Sequence, residues 1–367
     1  MRYKNVVAVF TVAMMSVLMF AGCGKGNETE VGSDVSAEVE QVQDTDDESA
    51  EMEELVGEEA PEGYYFSELT HELTDINLKN QRPVAIMVDN EKIALPHYGL
   101  TQADVVYEMV NSTANGRITR LMCLVKDWEK LDQFGSIRST RPTNVIFASE
   151  WNAILCHDGG PFYIDEYLAQ PFAYNLNGGF SRVSNGKPRE YTEYICKGDL
   201  ESRIEKSSFG KEYDGYYNGD HFKFASETSP VELKDGIAAD KIELPFPHNS
   251  SKLSYDEKEK LYFYSEYGKA HIDPENDNAQ LCFKNVIIQN ANMNQLDEHG
   301  YMVYDVVGSG DGYYITNGKS EPITWKKSCI EDLTVYYDKN GDEITVNTGK
   351  TYIAIVPSDS WSDLVIE

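Results

Sequence analysis

Between residues 82 and 125, the hydrophobic positions form short continuous runs that polar segments separate. The run from Pro83 to Val88 has the length of a strand, and its unbroken apolar character is typical of a strand buried on both faces. Two further, predominantly apolar runs at 103–110 and 118–125 flank the polar, glycine-containing segment 111–116. This arrangement predicts a β-hairpin.

After residue 140, the pattern becomes that of helices and one further strand. Pro142 is favoured in the first turn of a helix, and apolar residues would line one side of a helix that continues to Trp151. Residues 153–156 are apolar and predict a short buried strand, and residues 162–168 predict another helix. We therefore expect a mixed sheet covered by helices, with polar loops at the strand ends.

Helical patterns end near residue 229, and the remaining chain alternates between strand-like runs and turns. The strand-like runs are 261–264, 281–289, 301–307, 312–315, 333–337 and 351–356. The segment from Asp338 to Gly341 has the composition of a hairpin turn. The sequence thus predicts an α+β fold class, with an N-terminal mixed-sheet α/β domain at 63–228 followed by a β-rich C-terminal domain at 229–367.

The first 23 residues have the organisation of a bacterial lipoprotein signal. A short basic end at positions 2–4 precedes a mostly apolar run at 6–20, and the small residues Ala21 and Gly22 lead to Cys23. This predicts a signal peptide of residues 1–22 and a lipidation site at Cys23, whose thiol can carry a fatty acid such as palmitate. The alternative, an uncleaved transmembrane helix, would reach only about 25 Å at about 1.5 Å per residue, which is short for a hydrocarbon core.

The chain is strongly acidic, with a formal net charge of −30 and an isoelectric point near 4.5. A nucleic-acid backbone would be repelled, and no basic stretch is present to replace its counterions, so nucleic acid is excluded as a partner. In residues 24–62, fifteen acidic residues face only Lys25, without any aromatic residue. Such a segment buries too little apolar surface to offset its ordering entropy, so residues 23–62 are predicted to be a disordered tether.

Four arginines lie within twenty-five residues of this acidic chain, at Arg117, Arg120, Arg138 and Arg141. Ser139 and Thr140 lie between the last two, directly before the predicted helix start, where backbone amides are expected to be free. Guanidinium groups, hydroxyl donors and a helix N-terminus all favour an anion. These six residues therefore form a candidate site for a carboxylate or phosphate ligand.

A second interpretation gives these arginines a structural role, as internal ion-pair partners of Asp89, Glu108 or Asp158. Those three residues, together with Asn90 and His157, lie at the ends of predicted strands. They form a candidate polar site that would be able to supply an acid, a base or a metal ligand near the arginines. Their spacing is not diagnostic, so both interpretations stay open and no catalytic residue is assigned.

Motifs of known enzymes and metal sites are absent from the sequence. Ser139 lacks a Gly-x-Ser-x-Gly context, and the Ser-x-x-Lys matches at Ser184 and Ser208 lack the partner motifs of cell-wall enzymes. Neither His-Glu-x-x-His nor Cys-x-x-Cys occurs, so neither a metal nor a cofactor is predicted. Cys123 and Cys156 lie in apolar runs and are expected to be buried as small hydrophobic residues.

Several segments, taken in order, carry a resemblance to a known family. They are 82–90, 99–108, 116–120, 137–142, 285–288, 318, 324–326 and 349–353. Together they resemble the YerB-like lipoproteins, whose shared domain has no assigned activity, and the resemblance covers about 82–357. It implies export, lipid anchoring and an N-terminal α/β part followed by a β-rich part, but it implies no reaction.

These observations favour a binding or scaffolding lipoprotein of the cell envelope, anchored by lipid on the extracytoplasmic face of the cell membrane, over an enzyme. The arginine region would be its recognition site, and an envelope protein or an anionic wall ligand would be its partner. The alternative is a cell-envelope hydrolase or transferase acting on an anionic glycan or peptide. A pocket joining the arginines to His157 and Asp158 would favour a ligand or enzyme site, whereas arginines paired with carboxylates would favour a structural role.

Overall fold

The structure, a computed structural model, describes residues 59–367. The predicted signal peptide, the lipidation site Cys23 and most of the predicted tether lie outside the described residues. The described residues belong to a single unit of mutually contacting chain. In this part of the chain, no helix is long and apolar enough to cross a membrane.

Strands dominate the secondary structure. In the first half they are β1 (Tyr64–Phe66), β2 (Leu73–Asp75), β3 (Val84–Asp89), β4 (Val105–Ser112), β5 (Ile118–Val125), β6 (Gln133–Gly135), β7 (Ile154–His157), β8 (Tyr174–Asn177), β9 (Ser181–Arg182), β10 (Glu193–Cys196) and β11 (Lys223–Phe224). In the second half they are β12 (Ile237–Ala238), β13 (Lys241–Glu243), β14 (Lys252–Asp256), β15 (Leu261–Glu266), β16 (Lys269–Ala270), β17 (Ile272–Asp273), β18 (Ala279–Gln280), β19 (Cys282–Phe283), β20 (Asn285–Ala291), β21 (Met293–Gln295), β22 (Met302–Tyr304), β23 (Gly308–Thr316), β24 (Lys319–Lys327), β25 (Val335–Tyr337), β26 (Thr345–Val346), β27 (Thr351–Pro357) and β28 (Val365–Ile366).

The helices are short and lie mainly in the first half. The α-helical segments are α1 (Ala114–Arg117), α2 (Pro142–Glu150), α3 (Asp165–Leu168) and α4 (Asp199–Glu205). The 3-10 helices are Ile76–Leu78, Lys92–Ala94, Leu100–Gln102, Trp128–Lys130, Phe162–Ile164, Arg189–Tyr191, Pro274–Asn276 and Ser358–Asp363. The segment α1 is the turn of a hairpin, because Asn115 and Gly116 have left-handed φ angles of 51° and 77°.

The central sheet contains eleven strands from both halves of the chain. Its order is β12-β24-β23-β20-β27-β4-β5-β3-β7-β8, and β25 pairs with β24. The last long strand, β27, lies between β20 and β4 and is parallel to both. Because β3 and β4 are both antiparallel to β5, they run in the same direction as each other. The carboxyl ends of β20, β27, β4, β3, β7 and β8 therefore lie at one edge of the sheet, which we call the carboxyl edge.

Both faces of the central sheet are covered, which explains its continuous apolar strands. Every residue of β3 and β27 is buried. On β4, successive side chains point to opposite faces: the ring of Tyr107 stacks on Phe147 of α2, with centroids 4.9 Å apart. The neighbouring Glu108 accepts a hydrogen bond from Tyr264 of β15 on the other face. That face is covered by the second sheet, in which β15 lies in the order β16-β15-β14-β13-β28.

The predicted α+β class is confirmed, with helices in the first half and a strand-rich second half. The hairpin of β4 and β5, the buried strand β3 and the helix beginning at Pro142 are found where the hydrophobic pattern predicts them. The helix predicted at 162–168 is a 3-10 turn followed by α3. Strands from both sides of residue 229 share the central sheet, so the proposed division there stays a prediction.

A buried ion cluster joins α2 to the second half of the chain. Glu150, the last residue of α2, lies 2.7 Å from His221 Nε2 and 3.1 Å from Lys327 Nζ. Thr334 donates to the same carboxylate from its backbone amide and its hydroxyl. Burial raises the pKa of Glu150, but His221 and Lys327 outweigh it, so the pKa is lowered overall. The carboxylate therefore holds its charge inside the protein.

We expect Lys327→Met to lower the free energy of unfolding by about 3–5 kcal/mol, because it removes a partner of a buried carboxylate. Urea denaturation monitored by circular dichroism measures the loss. Lys326 is exposed on the same strand, so Lys326→Met is the matched control and should change stability by less than about 0.5 kcal/mol. Equal effects of the two substitutions would contradict a stabilising role of the cluster.

Candidate functional site

The predicted arginine region lies at the carboxyl edge of the central sheet. Arg120 on β5 is directly opposite Asp89 at the end of β3. The segment that follows β6 crosses this edge, since Ile137 bridges to Val88 and Arg138 N donates to Met87 O at 2.9 Å. The chain then continues through Ser139 to the start of α2. Ligands of α/β sheets commonly bind at this edge.

Arg120 is buried and donates only to neutral acceptors. Its Nη1 atom lies 2.6 Å from Asn111 Oδ1, 3.0 Å from Ser139 O and 2.9 Å from Ser139 Oγ. Its Nε atom is fully buried and has no hydrogen-bond partner among the described residues. Burial lowers the pKa of Arg120 to about 10, so the group is still a cation at neutral pH.

Arg141 lies beside Arg120 in an equally neutral environment. Its Nε donates to Asn111 O at 3.2 Å, and its Nη1 donates to Thr140 O at 2.8 Å and to Ser139 Oγ at 3.3 Å. The guanidinium also lies over the ring of Tyr301, 4.3 Å from the centroid. Burial, together with the positive charge of Arg120, lowers the pKa of Arg141 to about 9.

Arg120 and Arg141 thus form a pair of buried cations that share one hydroxyl, Ser139 Oγ. In residues 59–367, no carboxylate forms an ion pair with either guanidinium. The Nη2 atoms donate no hydrogen bond to this part of the chain, and unlike Arg120 Nε they are not fully buried. The Asp89 carboxylate opposite Arg120 attracts that cation without bonding to it, so the charges of the two adjacent arginines are only partly offset in the free protein. We call this pair, with Asn111 and Ser139, the arginine pair site.

Arg138 lies at the rim of the arginine pair site and is compensated. Its Nε is 2.7 Å from Asp89 Oδ2, and its Nη2 is 2.8 Å from Glu190 Oε2. Burial lowers the pKa of Arg138, but these two carboxylates outweigh it and the pKa is raised overall. Its side chain remains 27% exposed. The geometry of Arg138 therefore matches the interpretation that gives the arginines a structural role as ion-pair partners of carboxylates such as Asp89.

Two features expected of the site are not found there. Arg117 points away and forms an ion pair with Asp359, also donating to Ser360 Oγ at 2.7 Å. It lines a different cavity of about 520 Å³. The start of α2 offers few free amides, because Pro142 has no N–H and the amides of Asn144 and Val145 donate to Arg141 O. The site therefore depends on side chains and not on the helix terminus.

Glu108 and Asn90 lie on the opposite face of the sheet from the arginine pair site. The predicted ion pair between Glu108 and the arginines is not formed, because strand alternation directs Glu108 toward the second sheet. Its carboxylate accepts hydrogen bonds from six neutral side chains: Asn90, Thr119, Asn249, Ser251, Tyr264 and Tyr352. Burial raises the pKa of Glu108.

His157 ends β7 and Asp158 follows it, and this segment contacts the arginine segment through backbone atoms only. Thr140 N donates to Gly159 O, and Asp158 N donates to Arg138 O, both at 3.1 Å. The His157 ring instead meets Gly159 O at 2.9 Å and Asn175 Oδ1 at 3.4 Å, and burial lowers the pKa of His157. The Asp158 carboxylate lies 3.5 Å from Arg182. Neither side chain joins the arginine pair site.

Two residues of this region, Asn111 and Tyr301, were not among the predicted site residues. Asn111 was placed in a hairpin loop, but β4 continues to Ser112 and holds Asn111 against both arginines. Tyr301 is distant in sequence and reaches the site because the edge of the sheet brings the segment before β22 next to β4. Polar character inside an otherwise apolar strand was the available signal for Asn111, and no local signal marked Tyr301.

Comparisons with known proteins place this architecture in a family. The model described as "Protein of unknown function (DUF3048) N-terminal domain" matches residues 69–210, and the corresponding C-terminal domain matches residues 242–353. Because the two models together match more than half of the chain, the chain belongs to this YerB-like family.

Two comparisons agree with that assignment. A protein named "Putative lipoprotein YerB" from Bacillus subtilis (strain 168) is 26% identical over 306 residues, which are 79% of this chain and 85% of that protein. The crystal structure of the YerB protein from Bacillus subtilis matches with a TM-score of 0.70 and 22% identity, covering 83% of this chain and 99% of the other. The resemblance read from the sequence is confirmed, and so is the fold.

We expect a double-mutant cycle on Arg120→Met and Arg141→Met to show a superadditive loss of stability. Each single substitution removes the repulsion between the cations along with its own hydrogen bonds, whereas the double substitution removes the repulsion only once. The double variant should therefore lose about 1 kcal/mol more than the sum of the single variants. Urea denaturation in a phosphate-free buffer measures the cycle.

The same cycle on Arg138→Met and Asp89→Asn is the control. It should show the opposite sign, since these two residues attract each other. An additive or subadditive result for the arginine pair would mean that the two charges are already neutralised.

Proposed function

We propose that this chain is a lipid-anchored binding lipoprotein of the cell envelope that recognises an anionic ligand at the arginine pair site. The observation that carries the proposal is the pair of buried guanidinium groups, Arg120 and Arg141, whose bonded partners are all neutral. An anion would offset both charges, whereas in the free protein their mutual repulsion is opposed only by carboxylates that do not bond to them, Asp89 foremost.

The donor geometry supports a carboxylate or phosphate ligand. Guanidinium groups bind carboxylates and phosphates in a bidentate manner. The Nη2 atoms of Arg120 and Arg141 are available for such a contact. Ser139 Oγ lies between the two arginines and accepts from both. Its own hydroxyl hydrogen is then free to donate to a ligand oxygen. Tyr301 supplies an aromatic wall behind Arg141.

The overall charge of −30 supports selectivity for this site over the rest of the surface. An acidic protein repels anions in general, so a site that concentrates positive charge is the place where an anion gains most. Arg138 at the rim is held by Asp89 and Glu190 and adds a cation whose charge is already balanced. Acidic wall fragments and phosphorylated envelope components are the ligands of suitable chemistry.

The enzyme alternative has less support from the geometry. Ser139 Oγ accepts from two arginines, and no base among the described residues contacts it. Both nitrogens of His157 face other partners, Gly159 and Asn175. A binding or scaffolding role needs only the cations and the hydroxyl, which are present together.

The proposed location is the outer face of the cell membrane, with Cys23 as the lipid attachment point. The support is the signal-like pattern that ends at Cys23 and the lipoprotein name of the Bacillus subtilis relative. The acidic segment 24–62 would separate the folded part from an anionic membrane surface.

The ligand proposal predicts that inorganic phosphate and acidic muropeptides raise the melting temperature of the wild-type protein in a saturable way. Arg120→Met and Arg141→Met should each raise the half-saturating ligand concentration at least about tenfold, because each variant loses one charge-assisted contact with the ligand. Differential scanning fluorimetry measures the shift. Arg117→Met is the matched control, because Arg117 lies outside the site, and it should respond like wild type.

A wild-type response in both Arg120→Met and Arg141→Met would disprove this site. An absence of any shift with phosphate and with muropeptides would disprove the ligand class. The dependence on salt adds a check, since charge-assisted binding weakens as ionic strength rises.

The anchoring proposal predicts that native protein carries a fatty-acid modification on Cys23 and begins at that residue. Mass spectrometry of membrane-derived protein measures both. Cys23→Ser should abolish the modification and shift the protein out of the membrane fraction, whereas Cys329→Ser should leave both unchanged. Recovery of unmodified protein with an intact initiator Met from wild-type cytosol would contradict the anchor.

A further inference from the structure

Three buried side chains with metal-binding chemistry meet between the central and second sheets. One nitrogen each of His97 and His271 and one carboxylate oxygen of Glu266 all lie within 4.8 Å of one another. The two imidazole rings are 5.0 Å apart between centroids. His97 lies in the segment after β3, Glu266 ends β15, and His271 follows β16. We call this group the histidine cluster.

Each imidazole of the histidine cluster is held through one of its nitrogens. His97 Nε2 lies 2.6 Å from Asp89 O, and a carbonyl can only accept, so Nε2 carries the hydrogen and Nδ1 carries a lone pair. His271 Nδ1 lies 2.9 Å from Glu266 Oε1. The remaining nitrogens, His97 Nδ1 and His271 Nε2, are buried and have no hydrogen-bond partner among the described residues. Unsatisfied buried polar atoms are costly unless a ligand meets them.

The charge around Glu266 points in the same direction. Its side chain is only 1% exposed, and in residues 59–367 neither Lys nor Arg pairs with it. Glu266 Oε2 receives a hydrogen bond from Asn249 at 3.3 Å, and the same amide donates to Glu108 Oε1 at 2.8 Å. Two buried carboxylates are therefore joined by one neutral amide. The ion-pair partner of Glu266 in this part of the chain is the His271 ring, which is charged only when protonated. A metal ion bound to neutral His271 would supply positive charge beside the two carboxylates.

We propose that the histidine cluster binds a divalent transition-metal ion, with zinc as the ion of best fit. The free nitrogens His97 Nδ1 and His271 Nε2 together with one carboxylate oxygen are a donor set that zinc accepts, and Glu266 would complete it by turning Oε1 from His271 Nδ1, which it now contacts, to the ion. The carbonyl of Asp89 on the second nitrogen of His97 is the outer contact that fixes a metal-binding imidazole. No further His, Cys, Asp or Glu of the described chain joins this group, so these three residues are the ligands that the described chain would supply.

Metal binding in this cluster requires a small inward movement of the ligands. Zinc holds nitrogen and oxygen ligands at about 2.0–2.2 Å, which places them roughly 3.4 Å apart in a tetrahedron. The ligand atoms lie within 4.8 Å of one another, so they would approach by up to about 1.4 Å on binding. Because His97 and Glu266 come from segments that pack against each other from the two sheets, the ion would fasten the second sheet to the carboxyl edge.

The test uses the full-length protein, stripped with a chelator and titrated with zinc alone. We expect elemental mass spectrometry to find one zinc ion per chain. The melting temperature should rise when zinc is added and fall when the chelator removes it. Substitution by Co²⁺ should give the visible absorption of a four-coordinate site. Binding of no metal, together with a melting temperature that neither zinc nor the chelator changes, would overturn the proposal.

Substitutions in the histidine cluster test whether the metal binds there. His97→Gln and His271→Gln should each weaken zinc affinity by at least about 100-fold, and the zinc-dependent rise in melting temperature should disappear. His299→Gln is the control, because His299 is exposed and outside the cluster, and it should bind zinc like wild type. Retention of stoichiometric zinc by both His97→Gln and His271→Gln would disprove the site. If either variant fails to fold, the chelator and Co²⁺ measurements on wild type decide the proposal.

Discussion

The constraint on which this structure depends is that both faces of the central sheet are covered, so every polar group on its strands must find a partner inside the protein. Helix α2 covers one face, and the second sheet covers the other. Where a polar side chain occurs on these strands, the surrounding layer supplies matching groups, as the six donors around Glu108 do. The few buried groups that lack such partners therefore stand out.

Strand alternation separates those groups into two chemical regions. Thr119 and Arg120 are adjacent in sequence, yet Thr119 donates to Glu108 on one face and Arg120 meets Ser139 on the other. One region contains two arginines whose hydrogen-bond acceptors are all neutral, and the other contains two carboxylates to which neither lysine nor arginine is bonded. Asp89 connects them, because its carbonyl meets His97 and its carboxylate meets Arg138. The two regions share the end of one strand but differ in the sign of the charge that each lacks.

Local features of the fold could be predicted from the sequence, whereas long-range contacts could not. The unbroken apolar run of β3, the turn at Gly116 and the proline that begins α2 act through nearby residues, so the pattern indicated them correctly. The arginine cluster was predicted as a group, but the direction of Arg117 depends on Asp359, which lies far along the chain. The meeting of His97 with His271 depends in the same way on how the two sheets pack, and no spacing in the sequence encodes it.

The position of β27 has a consequence for the order in which the chain folds. This strand contains residues 351–357, and its two neighbours are β20 and β4. Until residues 351–357 pair with both neighbours, β20 and β4 are not joined and the central sheet has two open edges at this point. Such non-local parallel pairing makes folding slow and dependent on the presence of residues 351–357. A polypeptide of this topology keeps an unclosed core, compatible with passage through a narrow channel, until residues 351–357 have paired.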